Sequence, residues 1–253
     1  MAVRPHIVDR VRIDSPISAT LVAWGNAWLG GHVSLEHALD RVEREAGPQV
    51  VAADGVETPL LAYLVDQRIE GLGAFRLALP VPGDPLGLTG PPAFNGAAID
   101  AGQAAVAVLS GRCLGLVPSA DRRGSSYSGI RWTVTEASAV PPDVPSLAEA
   151  EQALRTAMMA ATEALLGVGG PAQGFPAPDA LDRAGEALAP GYPGRAHRVG
   201  ALAARLSVAL RLADERGLTS GQVAVRGQAL RDLDRAVRRA RVAAHNAIVE
   251  SQV

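Results

Sequence analysis

Lysine is absent from the 253 residues, so all 24 basic residues are arginine. This excludes a P-loop, whose lysine reaches nucleotide phosphates, a Schiff-base lysine for pyridoxal chemistry and a lysine general base. Cysteine occurs once, at Cys113, which leaves no internal disulfide and no multi-cysteine zinc or iron–sulfur site. Set among the apolar residues of GRCLGLVP, it reads as a small buried hydrophobe. No run approaches the ~20 consecutive apolar residues of a spanning helix. The N-terminal stretch carries Arg4, Asp9, Arg10, Arg12 and Asp14, where a signal peptide would be apolar and a transit peptide acid-poor. The expectation is a cytoplasmic protein without a membrane segment.

Catalytic signatures are equally sparse. No GxGxxG follows a strand, and GSSYSG at 124–129 has the wrong spacing for a nucleophile elbow. Of the five histidines only His32 and His37 are close in sequence, and a spacing of five does not stack them on one helical face. No metal, cofactor or catalytic residue is therefore assigned, and the reading favours a non-catalytic protein.

What is present is an ordinary globular composition, 48% apolar and 20% charged with a net charge of −2, and 47 alanines. Proline and glycine punctuate it. Ser15-Pro16 opens a helix that ends at Gly30-Gly31, Ser34 caps a second that closes at Gly47-Pro48, and Thr58-Pro59 opens a third. Three helices are thus expected before any strand. Ala74 to Val81, Ala104 to Leu109, Cys113 to Val117 and Ile130 to Thr135 are short apolar or alternating runs, read as a small, mainly antiparallel sheet. AFNGAAIDAG reads as a short helix, and SADRRGSSYSG as a polar loop.

The linker ASAVPPDVP, 137–145, divides an α+β module, 1–140, from a helical bundle, 146–253. Ser146 and Glu149 form a capping box for a helix with a continuous apolar stripe. A short helix is expected around Ala180 to Leu188. Val199 to Ala213 and Leu230 to Ile248 then show helical periodicity around Gly217-Leu218-Thr219-Ser220, which predicts a long antiparallel hairpin. The fold class is α+β: N-terminal helices with the sheet, then the bundle.

The segments LVAWGNAWLGGHVSLEHALDRV and LALPVPGDPLGL, with SLAEAEQAL after a PPD linker, resemble hypothetical proteins of high-GC actinobacteria. The resemblance implies a bacterial origin and carries no activity.

Two surfaces stand out. The last helix carries Arg231, Arg235, Arg238 and Arg239 on overlapping turns, a stripe suited to a protein partner or a second copy. Nucleic acid is disfavoured by the overall acidity and the lack of aromatics near the stripe. Trp24 and Trp28, one turn apart, read as core where the first helix meets the sheet. The alternative is a small-molecule site for an anionic ligand, or an enzyme, at the sheet edge. It would use the Pro/Gly-rich loop 80–92 with Arg76, Asp84, Asn95, Asp100 and Arg131, joined by Arg123.

Overall fold

The computed structural model describes residues 16–123, 127–166, 188–215 and 223–250. Helix α1 (Ile17–Leu29) and helix α2 (Leu35–Ala46) come first, and Ser34 caps α2 by accepting from the His37 amide at 3.2 Å. A β-hairpin follows that the sequence reading passed over: β1 (Gln49–Ala53) and β2 (Val56–Pro59). Its two-residue turn is Asp54-Gly55, both with positive φ, which is the type I′ geometry that matches the twist of a hairpin. Pro59 precedes α3 (Leu60–Ile69) as its N-cap, so Thr58 lies in a strand and does not cap the helix.

The remaining elements are β3 (Ala74–Ala78), α4 (Pro92–Ala101), β4 (Ala104–Leu109), β5 (Arg112–Arg123), β6 (Tyr127–Ala137), α5 (Leu147–Leu166), α6 (Gly194–Glu215) and α7 (Val223–Glu250). The expected polar loop between the last two strands is mostly strand, because β5 runs on to Arg123 and β6 starts at Tyr127. The capping box is present. Glu149 accepts from the Ser146 amide at 2.9 Å, and the Glu149 amide donates to Ser146 Oγ at 3.3 Å. The Ser15 cap, the short helix at 180–188 up to residue 187, and the Gly217–Ser220 connection lie outside the described residues.

The architecture is α+β. Six strands form one sheet in the order β2-β1-β6-β5-β4-β3. Every pair is antiparallel except β1 with β6, so the sheet is mixed. Strand alternation gives it two apolar faces. One, carrying Phe75, Leu77, Leu116 and Trp132, packs under α1, α2 and α3. Trp132 is fully buried and its indole N–H donates to Gln49 Oε1 at 2.8 Å, which satisfies a polar group that burial would otherwise make costly. The other face takes Phe94 and Ala98 of α4 against Val106, Cys113 and Val117. Cys113 is buried and free, as its surroundings suggested.

In the second half, α7 packs along both α5 and α6 through small residues. Ala150, Leu154, Val199, Ala203, Val237 and Ala240 share one cluster. The C-terminal half of α7 continues into the first half of the molecule: residues 240–248 are all buried, and Val242 belongs to the main sheet core. A helix covered on all sides is interior, and its polar residues must be bonded there.

Candidate interaction surface

The outer edge of β3 shows how those polar residues are used. Phe75, Leu77 and Leu79 point their backbone groups away from β4, in the positions an added strand would occupy. Leu79 N–H donates to Leu86 O at 3.2 Å, and side chains fill most of the rest. Asn26 of α1 donates from Nδ2 to Phe75 O at 2.9 Å and accepts from Phe75 N at 2.7 Å, a bidentate imitation of a strand neighbour. Asn246 of α7 accepts from Leu77 N at 2.9 Å. Arg238 of α7 donates to Leu79 O at 3.2 Å. The Tyr192 hydroxyl donates to His245 O at 2.9 Å. Burial pushes the Tyr192 phenol well above its ordinary range.

Beyond β3 the chain folds back through Val81 and Asp84, which exchange backbone hydrogen bonds of 3.0 and 2.9 Å. Pro82 and the positive φ of Gly83 suit this tight turn. It places Asp84, buried, against α7, where Arg238 reaches Oδ2 at 3.2 Å and Arg239 reaches Oδ1 at 3.1 Å. Arg238 is also bonded to Asp234 at 3.1 Å. The structure therefore brings together residues assigned from sequence to different surfaces: Asp84 from the sheet-edge group, and Arg238 and Arg239 from the stripe. Arg238 is only 15% exposed and Arg239 36%.

One turn earlier, α7 leaves the sheet. Arg231 and Arg235 are exposed; Arg231 donates to Gln228 at 2.9 Å. The rest of the sheet-edge group is spread out. Arg76 lies on β3 with Nη2 3.6 Å from Cys113 Sγ. Asn95 accepts from the Gly90 amide at 3.0 Å, and Asp100 is exposed on α4. Arg131, three strands away on β6, pairs with Glu57 of β2, which Arg123 also reaches at 2.7 Å. Of the two tryptophans of α1, Trp28 packs half-buried against the sheet core. Trp24 is half-buried at the surface between His37, 5.5 Å away, and the Arg41 guanidinium, 4.9 Å from its ring.

Sequence reasoning missed Asn26 and Asn246. Their signal was a polar amide at a position where the helix is otherwise apolar: WGNAW in α1 and AAHNAI in α7. Among the described residues no three His, Cys, Asp or Glu side chains gather as a metal ion would require, and no helix is long and apolar enough to cross a membrane.

A mixed sheet whose edge is closed by a long C-terminal helix defines an α+β protein. The chain belongs to the Rv1486c-like protein family, matching its N-terminal domain over residues 18–145 and its C-terminal domain over residues 148–242. It is 30% identical over 188 residues to the uncharacterized protein Rv1486c of Mycobacterium tuberculosis (strain ATCC 25618 / H37Rv), covering 60% of this chain and 65% of that one. The uncharacterized protein ML1804 of Mycobacterium leprae (strain TN) is 28% identical over 292 residues, covering 92% and 97%. The chain thus spans less than two thirds of the length of Rv1486c. No solved structure matches it.

Proposed function

We propose that this chain is a non-catalytic, cytoplasmic interaction or regulatory protein whose helical surface, centred on the solvent-exposed part of α7, takes a protein partner or a second copy. The reading takes α6 and α7 as an antiparallel hairpin. Supporting this, Ala196 clusters with Ala247 and Ile248, Gly200 faces Ala244, and Ala203 clusters with Val237 and Ala240. Rising numbers on α6 meet falling numbers on α7.

The observation that carries the proposal is the division of the arginine stripe. Arg238 and Arg239 are held by Asp84, whereas Arg231 and Arg235 stand exposed on the same helix with no ion pair among the described residues. The sheet edges support it by elimination. The β3 edge is filled by Asn26, Asn246 and Arg238, and β2 is four residues long and ends in Pro59, which has no amide to donate. A short β2 edge and a filled β3 edge favour helical surface over strand addition.

The test is a double substitution, Arg231→Glu with Arg235→Glu, followed by sedimentation equilibrium and thermal melting of the full chain. The expected result is weakened association with an unchanged melting temperature. Association equal to that of the parent chain overturns the proposal.

A further inference from the structure

The exposed charges of α7 have a counterpart elsewhere on the same chain, and it lies on α2. Both helices show a face of both signs in a fixed order. Successive helical residues turn about 100°, so Arg231, Arg235 and Arg239 run up the middle of the α7 face, with Asp232 on one flank. On α2, Glu36, Asp40 and Arg44 hold the same three positions, with Glu43 on the flank of Glu36. All of these are exposed except Arg239, which is half-buried. Arg44 and Asp40 approach only to 3.6 Å and are each more than 60% exposed, so they are available to other partners.

Laying the two faces together with Arg235 opposite Asp40 tests whether the patterns fit. With the helices antiparallel, residues on the same flank meet, at about 1.5 Å of rise per residue. Arg231 then falls beside Glu43 on one flank, and Asp232 beside Arg44 on the other. Three opposite-charge pairs form, and the like charges Arg231 and Arg44, though level with each other, stand on opposite flanks. With the helices parallel the flanks are exchanged, and Asp232 falls against Glu36.

We infer that the partner of α7 is α2 of a second copy of this chain, packed antiparallel in a dimer that makes the contact twice. This inference rests on the reading of α7 as an interaction surface and gives that surface its occupant. Within one chain the two faces are spoken for differently. On the buried side of α2, Leu39 and Val42 join the main sheet core, and its charged side is left to solvent. Because the surfaces are different, a closed assembly needs both contacts at once, which doubles the effect of each charge. Screening follows: association weakens as salt rises.

The experiment is a charge exchange on the full chain, read by sedimentation equilibrium at low and moderate salt. Arg235→Asp and Asp40→Arg are each expected to weaken dimerisation by roughly tenfold or more, since each places like charges together twice. The double variant, with both exchanges, is expected to return to within a few-fold of the parent. Melting temperatures of all three report that the exposed substitutions leave the fold intact. A parent chain that stays monomeric overturns the inference, as does a double variant no tighter than either single one. If the arginine substitution abolishes association and Asp40→Arg leaves it unchanged, α7 keeps its role and the assignment of α2 falls.

Discussion

Replacing Asn26 with alanine tests the idea that side chains stand in for a missing strand. Asn26 is 4% exposed, and its amide answers both backbone groups of Phe75, which is itself fully buried. The substitution leaves one N–H and one C=O without a partner in a dry setting, at about 1–3 kcal/mol for each. The sum, about 2–6 kcal/mol, is a large fraction of the roughly 5–15 kcal/mol of a typical domain. Asn246→Ala removes the partner of a single group, Leu77 N, and costs about half as much. Urea unfolding of the two variants at neutral pH measures the ratio, and amide hydrogen exchange at Phe75 and Leu77 locates it. A loss below about 1 kcal/mol for Asn26→Ala, with the Phe75 amide still protected, would refute the reasoning.

Three other outcomes follow from particular groups. Tyr63 is buried, its hydroxyl has no hydrogen-bond partner, and burial pushes its phenol up to about 12. The fold therefore favours the neutral phenol. Stability is flat below the unfolded value near pH 10 and falls as pH rises toward about 12, by about 2–3 kcal/mol. Tyr63→Phe makes that alkaline fall shallower and costs nothing at pH 7; an unchanged alkaline limb in denaturant titrations sinks the assignment. Ser146→Ala removes the cap oxygen of α5 and is expected to cost about 1 kcal/mol in thermal or urea melts; a loss under a few tenths means the first turn of α5 frays already. Gly115→Ala puts a methyl group into the Phe94 ring of α4, which packs on the sheet there, an overpacking of about 1–3 kcal/mol. A neutral melt there means α4 shifts freely on the sheet.

How far the sequence speaks depends on whether a signal is local. Ser34, the Ser146–Glu149 box and the run Ala104–Leu109 are read from neighbouring residues, and they stand where the pattern puts them. The β1–β2 hairpin was equally legible: Asp54-Gly55 between VVAA and VET is a strong hairpin signal. Thr58-Pro59 competes with that signal, because a cap-plus-proline pattern also fits a strand end. Strand β5 runs through ADRR because the β5–β6 pairing continues past the apolar stretch, and polar residues on the solvent side of a hairpin look like loop in sequence. The edge closure could not be read at all. Asn26 and Phe75 are 49 residues apart, and Asn246 and Leu77 are 169 apart. Nothing local says that a helix will lie along a strand. Asp84 and the arginines of α7 are a pair of the same kind, each visible alone and neither pointing to the other.

The arginine stripe shows why a pattern on one helix does not define one surface. Arg231, Arg235, Arg238 and Arg239 are continuous by periodicity, yet α7 passes from solvent to the sheet edge between Arg235 and Arg238. On one side of that crossing a guanidinium faces water, where ion pairs and hydrogen bonds contribute little to stability. On the other side Arg238 satisfies Leu79 O, Asp84 and Asp234 together at 15% exposure. Arg238→Ala leaves a carbonyl unpaired and half of the compensation for Asp84 removed, an expected loss of about 1–3 kcal/mol. Arg235→Ala, three residues away and of identical chemistry, is expected to move the melt by no more than about 0.5 kcal/mol. Equal losses in urea unfolding would place the crossing elsewhere, and Arg235 would then belong to the fold instead of the surface.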